Sequence, residues 1–217
     1  MVTAHSSPLR TSLLFISTFL FPAVGFPLIA YAWWRMSGES WTFAGTVMAL
    51  PVVFGYLMPG IAVHVTKRWR FTSGPRVGSY YVHHGFVYGA KLAFVLLLVV
   101  RSLPSVDSVW DIAAVIVVTG AATAFGGWFH DAHAVRAGRI EVDGGVEALV
   151  SFAPPSYFAM GATYAAVALA SYPVLLRDAA SVVWVFPVGL VVLCTVPTLV
   201  FLAVDPPARR LLRERLR

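Results

Sequence analysis

The chain is poor in charged side chains. Only 12% of its 217 residues are Asp, Glu, Lys or Arg, whereas 59% are apolar. Soluble domains carry about 25% charged residues, and a core of this size cannot bury such an apolar surplus. The composition therefore excludes an ordinary soluble domain and indicates that lipid surrounds most of the apolar side chains.

Several functional motifs are also missing. The chain has one cysteine, Cys194, so no intrachain disulfide can form. It carries no phosphate-binding loop, dinucleotide fingerprint, cysteine-based zinc site or paired-Asp motif for prenyl diphosphates. Membrane desaturases and hydroxylases use more than its 6 histidines. No soluble binding module accompanies the net charge of +6, so nucleic acid is not an expected partner.

What the chain has instead is long apolar stretches. A membrane-spanning helix needs about 20 largely apolar residues, because each residue rises about 1.5 Å. The first stretch is longer than the core of a signal peptide, and we interpret it as a retained helix. We therefore predict an all-α, polytopic integral membrane protein that forms a single helical-bundle domain over residues 1–217. Its six predicted transmembrane helices are 12–34, 41–65, 79–101, 109–132, 149–174 and 180–204.

The basic residues predict the orientation of the bundle. Six spans place Arg35, Arg101 and Arg177 on one side. Because basic residues favour the cytoplasmic side, the other side is predicted to be cytoplasmic, with both termini inside and the chain in the cell inner (plasma) membrane. Anionic head groups at that face are the expected partners. The cytoplasmic side receives twelve basic residues: Arg10, Lys67, Arg68, Arg70, Arg76, Arg136, Arg139, Arg209, Arg210, Arg213, Arg215 and Arg217.

The histidines gather at the same membrane boundary. They lie at the cytoplasmic ends of the second, third and fourth predicted helices, and His5 lies in the N-terminal segment. Three imidazoles and a carboxylate resemble the ligands of a mononuclear zinc or iron site. We predict a divalent metal ion here, although anchoring of helix ends at the head groups explains the histidines equally simply. The predicted metal ligands are His64, His84, His130 and His133.

Helical spacing sharpens this site. His130 and His133 are separated by three residues and lie on one helix face. Of the adjacent pair His83 and His84, only one is expected to face the bundle, and the spacing of Tyr81, His84, Tyr88 and Lys91 favours His84. A second stripe of small and polar residues, Thr119, Thr123, Gly127 and His130, is expected to face the first.

Lys91 lies near the middle of the third predicted helix, with no acidic residue expected at its depth. An unpaired ammonium is costly in a membrane, so we expect it to pair with an anionic, lipid-like ligand or to extend toward the interface. Asp131, Lys91 and Tyr88 are the candidate catalytic residues.

Two further patterns concern the backbone. Residues 136–147 alternate as a short hairpin would, with Gly144 and Gly145 able to form its turn. The pattern favours an ordinary cytoplasmic connection, and the alternative is that it caps the site and contributes Glu141 or Glu147 as an acid or base. Prolines occur in four of the predicted helices, and Pro154–Pro155 is expected to interrupt one of them.

Four functions remain open at this point. A membrane metalloenzyme acting on a lipid or isoprenoid-like substrate, either a hydrolase or an oxidoreductase, explains the histidines, Asp131 and the basic rim together. A small transporter or channel would use Lys91 and proline-broken helices. A subunit binding haem b would use two histidines, either His64 with His84 or His84 with His130. In a structural or assembly subunit, these residues would serve only in packing.

Overall fold

The computed structural model describes residues 8–59, 66, 68–72, 74–77 and 80–215, so His5 and His64 lie outside the described residues. The helices in this part of the chain are α1 (Pro8–Phe15), α2 (Phe26–Met36), α3 (Trp41–Pro59), α4 (His83–Arg101), α5 (Val109–Arg136), α6 (Gly145–Arg177), α7 (Val182–Val204) and α8 (Pro206–Arg215). The strands are β1 (Trp69–Phe71), β2 (Arg76–Val77), β3 (Tyr80–Tyr81) and β4 (Ile140–Val142).

In the described part of the chain, six helical segments are long and apolar enough to cross a membrane, which confirms the predicted all-α class with six long apolar helices. They are Ser12–Met36, Trp41–Met58, His83–Arg101, Val109–Arg136, Gly145–Arg177 and Ala179–Val204. The bounds differ from the predicted ones mainly at one end of the bundle. There α4 begins four residues later than expected, because Tyr80 and Tyr81 form a strand, while α5 and α6 extend further toward each other.

Local sequence signals explain several helix ends. At the start of α5 the Ser108 hydroxyl accepts a hydrogen bond from the Asp111 amide, and the Asp111 carboxylate accepts one from the Ser108 amide. This capping box satisfies two amides that a helix start leaves free. Gly144 precedes α6 with a φ of 87°, a conformation that glycine adopts without steric cost.

The helix of the first span changes its geometry within the membrane-spanning segment, whereas the helix of the fifth span is continuous. Between α1 and α2 the chain forms a π-helical segment, Ile16–Gly25, that contains Pro22. By contrast α6 runs unbroken through Pro154 and Pro155, so the expected interruption there is wrong. Packing explains this outcome, because α6 lies along α5 in the most extensive helix contact among the described elements. Membrane helices tolerate proline when neighbouring helices support them.

The connection after α5 forms a strand, but the predicted hairpin is wrong. Ile140 and Val142 are buried and Glu141 is exposed, as the alternation indicates. The partner of β4, however, is β1 from the connection between α3 and α4, with Trp69 opposite Val142 in an antiparallel pair. Gly144 and Gly145 lead directly into α6 instead of turning the chain back. The β1–β4 sheet therefore joins two interhelical connections at one end of the bundle.

An ion cluster around Arg68 ties the C-terminal part of the chain to the same end. The Arg68 guanidinium donates to Asp205 over 2.8 Å and to Asp143 over 2.6 Å, and it lies 5.9 Å from the centre of the Phe152 ring. The side chains of Arg68 and Asp205 are only 6% and 2% exposed. Burial lowers the pKa of Arg68, but the hydrogen bonds and charges of the two carboxylates outweigh burial and raise it.

Polar groups inside the bundle also find partners. The indole of Trp33 donates to the carbonyl of Ala93 over 3.1 Å, and the hydroxyl of Tyr164 donates to the carbonyl of Val47 over 2.9 Å. Both side chains belong to the apolar core between α2, α3, α4, α6 and α7. These bonds join spans that are distant in sequence, and they fix which helix faces pack together.

We expect Arg68→Met to destabilise the protein far more than Arg70→Met. Removing Arg68 leaves the Asp205 charge buried and uncompensated, which costs about 3–5 kcal/mol. Arg70 instead pairs with Glu141 at the surface, where both side chains are more than half exposed, and such pairs contribute about 0–1 kcal/mol. Unfolding of both variants in mixed detergent–SDS micelles measures the difference. Equal losses in the free energy of unfolding would show that the Arg68 cluster does not stabilise this end of the bundle more than a surface ion pair does.

Candidate functional site

A cavity of about 770 Å³ lies between the first span, α4, α5 and α6, beside the β1–β4 sheet. Trp69 and Phe71 of β1 line it at the end where the sheet lies. Its wall is mostly apolar, and its polar side chains come from the first span, α4, α5 and α6. Those polar residues are Ser17, His84, Tyr88, Lys91, Thr123, His130, Asp131, His133 and Tyr157.

Asp131 is the centre of the polar wall. Its carboxylate is buried, with the residue 7% exposed, and each of its oxygens has a partner. One oxygen accepts from the Tyr157 hydroxyl on α6, and the other lies 3.0 Å from Nδ1 of His130. Tyr88 on α4 lines the same cavity. The hydrogen bonds of Asp131 thus join α5 and α6 around one carboxylate.

This network determines how His130 presents its ring. An ionised carboxylate can only accept hydrogen bonds, so with Asp131 ionised the 3.0 Å contact requires Nδ1–H of His130 to be the donor. In the neutral ring the other nitrogen, Nε2, then has a free lone pair. Nε2 is buried without a hydrogen-bond partner among the described residues, and His130 lines the cavity. A carboxylate that orients an imidazole in this way also stabilises its protonated form.

His84 forms a second part of the wall, enclosed by aromatic rings. Its imidazole stacks on Trp69 at 5.1 Å and meets Phe71 edge-on at 4.7 Å. Both His83 and His84 are buried, contrary to the expectation that one of them faces away, but of the two only His84 lines the cavity. His83 packs instead against Phe19, at 4.8 Å between ring centres.

Lys91 lies deeper on the same face of α4, and it does not lack a countercharge. Because α5 continues to Arg136, Asp131 is inside the helix and lines the same cavity as Lys91. The charge of Asp131 attracts the Lys91 ammonium. We expected no acidic residue at the depth of Lys91, and Asp131 corrects this expectation. The described residues nevertheless include no direct ion pair to Lys91. An acceptor on a bound ligand would complete its environment.

Four polar atoms in the cavity wall are buried without a protein partner in the described chain. They are Nε1 of Trp69, Nε2 of His84, Oγ1 of Thr123 and Nε2 of His130. Native proteins leave few such atoms unsatisfied, and each one calls for an explanation. All four belong to residues that line the same cavity.

The structure brings most of the predicted site residues together. Asp131, Lys91, Tyr88, His84, His130 and His133 all line the cavity, while His64 lies outside the described residues. Nδ1 of His133 donates to the Phe129 carbonyl over 2.8 Å. Within the described part of the chain, no three His, Cys, Asp or Glu side chains are arranged to hold a metal ion. The metal ion stays a prediction. Glu141, considered as an acid or base, instead pairs with Arg70.

Sequence reasoning missed two residues of the site, Tyr157 and Trp69. Tyr157 lies 26 positions from Asp131 on another helix. One signal for it exists in the stripe on α5, because Gly127 leaves space that the Tyr157 ring fills. Trp69 lies in the cavity wall because β1 pairs with β4, and the sequence has no local signal for that pairing.

The comparisons with known proteins add no assignment. The chain matches no protein-family model, and no curated protein or solved structure is detectably similar to it. The cavity and its side chains are therefore the features of this protein that bear on its function.

We expect Gly127→Ala to disrupt the network and Gly126→Ala to leave it intact. A Cβ atom at Gly127 would lie 2.6 Å from Cδ2 of Tyr157, whereas one at Gly126 would meet nothing within 4 Å. Displacing Tyr157 leaves one Asp131 oxygen unsatisfied, which costs about 1–3 kcal/mol. Gly126→Ala should be neutral or stabilising by up to about 1 kcal/mol, since alanine favours helix. Thermal unfolding in detergent compares the two. Equal stability would contradict the described packing.

Proposed function

We propose that this protein is a multi-pass membrane enzyme that hydrolyses a lipid-like or isoprenoid-like substrate, with His130 as its general base. The observation that carries the proposal is the state of the His130 ring. Nδ1 is held by Asp131, while Nε2 is buried in the cavity wall without a protein partner in the described residues. An apolar cavity with a few convergent polar groups is typical of a small-molecule site, and 770 Å³ lies within the usual range of about 300–1,000 Å³.

The cavity's side chains suit an ester or amide as the reacting group. Nε2 of His130 would accept a proton from water as the water oxygen bonds to the substrate carbonyl. The carbonyl oxygen becomes negative, and the Trp69 N–H and the Lys91 ammonium are the donors available to stabilise it. The protonated His130 would then give its proton to the leaving group as the scissile bond breaks. Asp131 stays ionised throughout and stabilises the imidazolium.

We further propose that the end of the bundle with the β1–β4 sheet faces the cytoplasm of a cell inner (plasma) membrane, with both termini inside. The twelve-to-three distribution of basic residues supports this orientation. The exposed Arg209, Arg210 and Arg213 of α8 fit anionic head groups there, and α8 begins directly after the buried Asp205. A lipid substrate would then present its head group at the cytoplasmic side.

Haem b is a second candidate ligand of the same cavity. His84 on α4 and His130 on α5 both line the cavity, and each has a buried Nε2 without a partner in the described chain. Two such nitrogens on neighbouring helices are the ligand type that membrane haem proteins use, and a carboxylate bonded to Nδ1 supports a ligating histidine. A visible spectrum of the purified protein separates this candidate from the hydrolase, because bound haem gives a Soret band.

In nanodiscs we expect wild-type protein to hydrolyse 4-methylumbelliferyl oleate and His130→Gln to lose activity by about 10²–10⁴-fold, the usual contribution of a general base. His133→Gln is the matched control, since it removes an imidazole one helical turn away whose Nδ1 is bonded to its own helix. It should retain most activity. Elemental analysis of the same samples tests the predicted metal, because a shared zinc or iron site would make both variants lose the ion. No turnover of umbelliferyl esters of any chain length by the wild type would refute hydrolysis.

We expect Lys91→Met to keep or improve thermal stability while turnover falls. Methionine preserves much of the stem and removes an ammonium whose place in a membrane costs about 3 kcal/mol by insertion scales. Lys91→Glu should impair both stability and turnover, because it places a second carboxylate beside Asp131. Wild-type turnover in folded Lys91→Met would show that Lys91 takes no part in binding or stabilising the reacting group.

A further inference from the structure

We propose that the substrate of this cavity carries a single apolar chain and reaches the cavity sideways from the bilayer, through an opening between the first span and α5. This inference rests on the proposed function in that it takes the same cavity as the active site. It adds the class of substrate, the route of access and a residue, Gly126, that limits the bulk of the chain. Four observations support it.

The first observation is that the wall of the cavity continues into the lipid-facing surface. Leu13 and Ile16 on the first span and Phe129 on α5 line the cavity, yet they are 57%, 46% and 51% exposed. Ala122 and Gly126 of α5 also line it and are exposed. Exposed residues within the membrane-spanning segments face lipid, so lipid chains and cavity meet along this edge.

The second observation is that the two sides of the opening are loosely joined. The first span packs mainly against α4, through its π-helical segment, and α1 makes only a small contact with α5. On the α5 side, Ala122 and Gly126 are one turn apart and leave a shallow slot. A Cβ atom at Gly126 would meet nothing within 4 Å, so the helix face there is open.

The third observation is that aromatic rings line the end beside the sheet. Trp69 and Phe71 of β1 stand there with their ring centres 4.7 Å apart, and Trp69 is buried. Within the described chain β1 is held by β4 and by the neighbouring Arg68 cluster, so these rings cover the cavity at this end. A molecule dissolved in the bilayer would instead enter at the edge between the first span and α5.

The fourth observation points to the occupant. Trp69 and His84 line the cavity at the end beside the sheet, and each is less than 9% exposed with a buried ring nitrogen that has no hydrogen-bond partner in the described chain. A ligand with a polar head at this end would satisfy them. Ala122 lies eight residues before His130 on α5, about 12 Å deeper in the membrane. We place one apolar chain in this cavity of 770 Å³, with its head at His130 and its tail along Gly126.

Photo-crosslinking in nanodiscs tests this inference. The probe is a 16-carbon fatty acid with a diazirine at mid-chain, and only labelling that excess palmitic acid prevents is counted. We expect such labelling on the residues of α1, the π-helical segment and α5 that line the opening. Gly126→Leu should reduce it at least tenfold, because the new side chain fills the slot. Ala122→Leu, one turn away, should have the same effect and guards against a folding defect particular to Gly126.

The matched control is Ala121→Leu, which adds the same side chain at an exposed position of α5 outside the cavity lining. It should label as the wild type does. Because the mid-chain diazirine reports the position of the tail, Gly126→Leu and Ala122→Leu are judged by labelling and His130→Gln by turnover alone, which separates this inference from the proposed reaction. Undiminished labelling in both Gly126→Leu and Ala122→Leu would overturn the route. Equal competition by a two-chain phosphatidylcholine would overturn the single-chain class, and neither result would bear on His130 as the base.

Discussion

The site depends on how a carboxylate is kept inside a membrane-spanning helix. Asp131 is 7% exposed, and a charge in such surroundings is tolerated only when hydrogen bonds replace water. Tyr157 and His130 supply those bonds from two helices, and Gly127 leaves the room that the Tyr157 ring needs. The same bonds hold Nδ1 of His130, while its Nε2 is buried without a partner in the described residues. In the proposed reaction, the hydrogen bonds that stabilise the buried charge therefore also orient the base.

The Arg68 cluster supports this arrangement from outside the membrane-spanning segments. Arg68 precedes Trp69 directly, so fixing its guanidinium between Asp205 and Asp143 also fixes the start of β1. Trp69 then stacks on His84 and forms the roof of the cavity. A cluster of charges between two connections and the α7–α8 junction therefore determines how well the cavity is closed at this end. Loss of one of these ion pairs would therefore disturb the stacking of Trp69 on His84.

The sequence predicts the spans well because their signal is local. Composition and length suffice for six apolar helices. Of the four residues that the predicted stripe on α4 groups, His84, Tyr88 and Lys91 line the cavity and Tyr81 does not. Contacts between distant segments leave no such signal. The strand at Ile140–Val142 is visible in its alternation, but its partner lies about seventy residues earlier. Arg68 looks like one more cytoplasmic surface charge in the sequence, yet it is buried.

The unpartnered polar atoms of the cavity wall are the energetic basis for proposing a bound ligand. A buried polar atom without a partner costs about 1–3 kcal/mol, and within the described chain four such atoms belong to residues that line one cavity. Their summed cost is comparable to the whole stability of many domains, about 5–15 kcal/mol. A structural subunit would lower this cost with apolar side chains, as the rest of the cavity wall does. Polar atoms held at such a cost by Trp69, His84 and His130 are better explained by a ligand that satisfies them.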